Sequence, residues 1–202
     1  MGLLNKIFGS DKEDPLKQFA ADLGGNYILG HFGDSNSTEV MYQNWMIIFD
    51  TYTFHTTAGN NSYQQVCMRV RASFIPRDYL RFKIFRKGLF STIGKLFGAQ
   101  DIIIGDPEFD KAFVIKGNDE AKIQHLFSSI TLRDIILSHE YLHLEIMEKE
   151  GPCGDKIPEG INQLYYLVEG DFKDVDHLKS IYTLFGAFLD QLSKIGSARQ
   201  LK

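Results

Sequence analysis

Ser138-His-Glu-Tyr-Leu-His-Leu-Glu-Ile-Met-Glu-Lys-Glu-Gly151 contains His139-Glu140-Tyr141-Leu142-His143, the spelling HExxH. On a helix that spelling is a zinc site: two imidazoles on one face share the ion, and the Glu polarises its water. The helical reading has Thr131 and Asp134 as a capping pair. It places Leu132, Ile135, Ile136, His139, Leu142, His143 and Ile146 on one face, with Glu159 or Glu169 as third ligand. The strand reading starts from the alternation after Glu140, with Leu142, Leu144 and Ile146 inward and Tyr141, His143 and Glu145 outward. Gly151-Pro152-Cys153-Gly154-Asp155 then breaks the chain before a second apolar run, Ile161 to Val168. Strand, turn and strand explain both runs, whereas one long helix leaves Leu144 off its face. A strand sends both imidazoles to one side but about 13 Å apart, at ~3.3 Å per residue, so they cannot share an ion. An outward His143 would tolerate replacement by a small residue.

The same change of period organises the rest of the chain. Asp14-Pro15 opens a helix carrying Leu16, Phe19, Ala20 and Leu23, and Gly24-Gly25 closes it. From Asn26 to about Lys87 the period is two. Val66, Met68, Val70, Ala72 and Phe74 alternate with Cys67, Arg69, Arg71 and Ser73, and Leu80, Phe82 and Ile84 alternate with Arg81, Lys83 and Phe85. Turn material at Ala58-Gly59-Asn60-Asn61 and Ile75-Pro76-Arg77-Asp78 makes this an antiparallel meander with one buried face. Ala112 to Lys116 reads as a strand, followed by a helix capped by Asn118 with Ile123, Leu126 and Phe127. Asp174 caps a long helix with the face Leu178, Ile181, Tyr182, Phe185, Phe188, Leu189, Leu192 and Ile195, ending at Gly196. The expectation is one α+β domain over residues 1–202: an antiparallel meander, an inserted helical segment, and the C-terminal amphipathic helix laid on the sheet.

Three stretches, DIIIGDPEFDKAFVIKGNDEAKIQHLF (Asp101–Phe127), WMIIFDTYT (Trp45–Thr53) and QLYYLVEGDFKDVDHLKSIYTLF (Gln163–Phe185), cover much of the chain. On them it resembles a family of bacterial proteins of similar length whose signature is of the GDPEFDKAFVIKGND type. The family has no assigned activity to transfer. The resemblance implies an arrangement in which HLEI is a strand leading into a hairpin, and it implies no site.

Composition narrows the functional classes. At 202 residues with 44% hydrophobic and 24% charged side chains, the chain has the material for a core without staples. A net charge of −4 argues against nucleic-acid binding by bulk electrostatics. Cys67 and Cys153 form no CxxC and read as free thiols of a reducing cytoplasm. No secretory signal is legible in MGLLNKIFGS, because the charged DKED follows a short apolar run. The triplets at Asn36 and Asn60 therefore read as unglycosylated.

The remaining motifs are weaker. In GDPEFD, Asp106, Glu108 and Asp110 alternate as in a calcium loop, but Lys111 stands where the loop needs Gly, and a capped helical turn with Pro107 at its start fits better. GLFSTIGKL lacks the spacing and the Ser or Thr of a phosphate loop. His31, His55, His125 and His177 have no partner spacing. Gly88 to Gly98 carries an apolar helical face, Leu89, Phe90, Ile93, Leu96 and Phe97. Between Asp78 and Asp101 there is no acidic residue, while Arg81, Lys83, Arg86, Lys87 and Lys95 supply positive charge. Leu3, Leu4, Ile7 and Phe8 give residues 1–13 the same character. Such segments lie in membrane interfaces or partner grooves. The chain thus reads as a cytoplasmic, non-catalytic binding or accessory module without a cofactor. It would contact a membrane surface or a protein partner through Leu89, Phe90, Ile93, Lys95 and Phe97. The alternative is a zinc-dependent hydrolase with His139 and His143 as ligands and Glu140 as base.

Overall fold

The computed structural model describes residues 14–31, 35–58, 61–88 and 101–201. Asp14 caps α1 (Pro15–Leu23) by accepting from the Leu16 amide at 3.0 Å, and Gly24, at φ 67°, ends it in the left-handed region. Then come β1 (Asn26–Ile28), β2 (Ser37–Tyr42), β3 (Trp45–Ala58), β4 (Asn61–Pro76) and β5 (Phe82–Arg86). The second half holds α2 (Pro107–Ala112), β6 (Phe113–Gly117), α3 (Glu120–Leu126), α4 (Ile130–Leu137), β7 (His143–Glu148), β8 (Asn162–Glu169), α5 (Val175–Lys194) and β9 (Ala198–Arg199).

The fold is α+β, with an antiparallel sheet in the order β1-β2-β3-β4-β8-β7-β5-β6 and β9 paired to the end of β4. The simple meander expected as far as Lys87 ends at β4. The β7–β8 hairpin inserts between β4 and β5, so β5 meets β7 and β6 instead. Period two dictates which face a side chain takes but is silent on which strand lies alongside.

Among the described residues one face carries all the helices. Ile47, Phe49, Val70, Ala72, Phe74, Ile84, Leu144, Leu164 and Tyr166 from the strands pack with Phe19, Ile123, Leu126, Ile136 and the apolar side of α5 in one continuous core. Asp174 caps α5 through the His177 amide, as expected. Leu178, Ile181, Phe185, Phe188, Leu189 and Leu192 on it are buried, with Tyr182 and Ile195 at the margin. The helix comes close to β2 at Gly186, where a Cβ would stand 2.5 Å from the Tyr42 ring, and the Tyr42 hydroxyl donates to Asp190 at 2.6 Å.

Two expected caps move. Asp119, rather than Asn118, caps α3 by accepting from Lys122. Asn118 instead accepts from the Arg81 amide at 2.8 Å and donates to Tyr79 O, tying the α3 approach to β5. Ser129, rather than Thr131, caps α4. The turn after β4 also starts later, since Ile75 and Pro76 pair with Arg199 and Ala198.

Phe185 is fully buried at the centre of the α5 face. Phe185→Ala is expected to destabilise the protein by about 3–5 kcal/mol in urea unfolding, and a loss below about 1 kcal/mol would place this helix face outside the core.

Candidate functional site

The HExxH segment spans the exit of a helix and the entry of a strand. α4 stops at Leu137, residues 138–142 turn, and β7 begins at His143. The strand reading holds for His143 onward, and Gly151–Asp155 makes the expected return into β8. The expectation that both imidazoles share one side does not hold. His139 is buried against α5, beside His177 and the backbone of Ser180. His143 lies on the sheet's other face, with its Nε2 3.1 Å from Glu145 Oε1. Glu140 is exposed, and Glu159 and Glu169, the candidate third ligands, are exposed as well. The zinc-hydrolase alternative therefore lacks both its helix and its convergence of ligands. Among the described residues no three His, Cys, Asp or Glu side chains gather in a metal-holding group.

His143 was expected to face solvent, yet it is only 6% exposed, and Glu145 only 8%. This face carries no helix among the described residues, and ion pairs and hydrogen bonds close it here. Register lines up Arg71, Tyr165, Glu145 and Lys83 across β4, β8, β7 and β5. Lys83 Nζ lies 2.8 Å from Glu145 Oε2. Burial alone would raise the Glu145 carboxyl, but hydrogen bonds from His143 and Lys83 outweigh it and hold that carboxyl below the ordinary carboxylate range.

One register row over, Arg69 forks onto Asp50: Nε donates to Oδ1 at 2.7 Å and Nη2 to Oδ2 at 2.8 Å. Its Nη1 donates to Asp155 Oδ2 at 2.5 Å, and Arg71 Nη2 donates to Asp50 Oδ2 at 2.7 Å. Burial opposes the Arg69 charge, but the two carboxylates more than offset it and raise the guanidinium above its usual value. Asp155 arrives from the 149–161 loop, which folds back over the sheet. Gly151 in that loop sits against Tyr165, where a Cβ would meet the ring at 3.1 Å. Cys67, Tyr165 and Leu167 form a small apolar cluster beside the ion pairs, with Phe54, Met147 and Cys153 around it. Burial pushes the Cys67 thiol up to about 11, with Cys153 nearby adding to the effect, and burial raises Cys153 too. Both cysteines are free thiols that resist ionisation, as a structural site requires and a nucleophile does not.

The other sequence candidates resolve locally. Asp106 caps α2 through the Phe109 amide and accepts from Arg133 at 3.1 Å, while Asp110 accepts from the Ile104 and Gly105 amides. Two of the three GDPEFD carboxylates are thus engaged in shaping the loop and its capped helix. His31, His55 and His125 are exposed. A cleft of about 880 Å³ opens between residues 76–81 and 148–162, where Arg81 pairs with Glu148. Leu89, Phe90, Ile93, Lys95 and Phe97 lie outside the described residues, as do residues 1–13.

No protein-family model matches the chain, and no curated protein matches it. Among solved structures it is similar to the crystal structure of the mycobacterial trehalose monomycolate transport factor A, TtfA. The TM-score is 0.55 at 8% sequence identity, over 92% of this chain and 97% of that one. The likeness is one of fold.

Two measurements check this site. Asp50→Ala leaves the buried Arg69 and half-buried Arg71 guanidiniums facing one remaining carboxylate, and is expected to cost about 3–5 kcal/mol in urea unfolding at pH 7. The second concerns His139, pushed down to about 4 by burial and by His177. Between about 6.5 and about 4 the unfolded chain binds more protons than the native one, so stability falls as pH drops through that window. The loss attributable to His139 amounts to about 3 kcal/mol and is complete below about pH 4. His139→Gln should flatten the stability slope between pH 6.5 and 4.5, and an unchanged slope would contradict the buried, neutral imidazole.

Proposed function

We propose that the chain is a non-catalytic binding or accessory module that works at a membrane surface. The observation that carries this reading is the engagement of the buried polar groups with one another. Arg69, Arg71, Asp50 and Asp155 form one network, which ties the sheet to its covering loop, and Lys83, Glu145 and His143 form another, which joins β5 to β7. Groups so engaged stabilise an architecture and leave it free to present a surface. The transport factor that shares the fold supports the reading, since a fold of this shape serves there, by that protein's own name, as a trehalose monomycolate transport factor.

The membrane contact belongs to Leu89, Phe90, Ile93, Lys95 and Phe97, with the basic residues that precede them. The described chain around that segment supplies a firm base. The Lys87 amide donates to Ala112 O and its Nζ to Asp110 O, Arg86 lies over the Phe113 ring, and the Ile102 amide donates to Ile115 O. Among the described residues no helix is long and apolar enough to cross a membrane, so the contact is peripheral in this reading.

The test is co-sedimentation with phosphatidylserine–phosphatidylcholine vesicles at low salt, where electrostatic attraction is strongest. Phe90→Ser with Phe97→Ser should lower vesicle affinity about tenfold or more while leaving the urea midpoint in place. If the unaltered protein does not sediment with the vesicles, the membrane role is wrong.

A further inference from the structure

β3 and β4 run on together well past the rest of the sheet. β2 pairs with β3 only as far as Asp50, and β8 pairs with β4 only from Cys67 onward. From Thr53↔Val66 to Ala58↔Asn61 the two strands pair with no other strand among the described residues. A two-stranded ribbon is marginal in water, and three or more strands are needed for independent stability.

The ribbon also lacks the devices that keep edges single. From Thr51 to Met68 there is no Asp, Glu, Lys, Arg or Pro, in a chain that is 24% charged. The register runs without a skipped residue, so no bulge turns the edge aside.

Backbone direction identifies the open edge. Val66 O accepts from the Gly170 amide, on the side of β4 away from β3. Val66 and its partner Thr53 therefore form a wide pair, whose backbone groups point outward from the ribbon. By alternation Thr53, His55 and Thr57 direct their N–H and C=O groups to the outer edge of β3. Gly170 already occupies part of the β4 edge, whereas beyond Asp50 the β3 edge meets no strand among the described residues.

We propose that this edge pairs with the same edge of a second copy of the chain, antiparallel about a two-fold axis at His55. An antiparallel strand edge is its own complement, so identical copies satisfy each other without a second kind of surface. The register centred on the open stretch sets Thr53 against Thr57 of the other copy and His55 against His55. That forms about six backbone hydrogen bonds, two from each of the three opposed pairs. Thr opposite Thr is a favourable cross-strand pair, and the uncharged edge brings no like charges together. The two marginal ribbons become one four-stranded sheet. A foreign peptide could use the same backbone groups, but the edge offers no charge by which to select one.

Sedimentation velocity on the full chain over about a hundredfold range of concentration tests this, since a dimer's population follows mass action. The unaltered protein should pass from monomer to dimer. Thr53→Pro removes an outward N–H and turns its ring at the other copy while sparing the β3–β4 ladder, and should abolish the dimer. His55→Lys and His55→Glu each set like charges opposite one another and should weaken association about three- to fivefold, while an equimolar mixture of the two recovers it as a heterodimer. Because the histidine variants alter only an exposed side chain, they keep the test decisive should Thr53→Pro fail to fold. A protein that stays monomeric throughout, a His55→Lys variant that dimerises like the unaltered chain, or a mixture that gains nothing would each overturn the proposal.

Discussion

Arg69 directs three guanidinium nitrogens at two carboxylates, and the second face of the sheet is organised around that choice. Asp50 comes from the adjacent strand and Asp155 from a loop that is remote in sequence. One side chain therefore fixes the β3–β4 pairing and the position of the 149–161 cover together. A charge in this place demands partners, because an unpaired guanidinium at 8% exposure would lose far more hydration than packing returns. The carboxylate of Asp155 is the part of the loop that supplies one. Around it the fit is steric: Gly151 lets the loop lie on the Tyr165 ring, and the Arg69 guanidinium stands over the Tyr52 ring at 5.3 Å.

Closure of this face follows from the order of the strands. β4 lies at the centre, with β3 on one side and β8 on the other, and β5 reaches the sheet through β7. Because β7 and β8 arrive late in the chain, the Arg71–Tyr165–Glu145–Lys83 row joins residues from both halves of the sequence. The helix-bearing face is held by apolar area and tolerates small shifts of side chain. The second face is held by directed bonds and tolerates few, so it sets the register that the core then fills.

Local signals were legible in the sequence, and distant ones were not. Asp14, Asp106 and Asp174 were readable as caps because a cap and the amide it accepts lie within three residues. Asn118 and Thr131 misled for the same reason, since Asp119 and Ser129 beside them offer equivalent oxygens and the chain can use only one. Strand membership came from period two, but the β4–β8 and β5–β7 pairings leave no trace in that period. Arg69, Glu145 and His143 were placed on the correct side of their strands and in the wrong medium. Alternation marks them as outward, and contacts remote in sequence, such as Asp155 on Arg69, leave no trace in that period. HExxH failed differently: His139 belongs to the end of a helix and His143 to the start of a strand, and no single period describes both.

Strand direction sets the β3–β4 ribbon and the exit of the chain from β5 at one end of the sheet. β3 runs toward Ala58, β8 runs parallel to it through antiparallel β4, and β5 runs that way too through antiparallel β7 and β8. The uncharged ribbon therefore projects from the same end of the sheet at which the chain leaves β5, past Arg86 and Lys87, for residues 89–100. The residues that follow β5 are apolar and basic in sequence, whereas the ribbon is neutral with outward backbone groups. The opposite end carries the β4–β9 pairing, with the Asp78 carboxylate accepting from both Lys122 and Ser197 to close the chain on itself. One end is thus tied off by its own polar bonds, and at the other β3 and β4 run on as an uncharged pair.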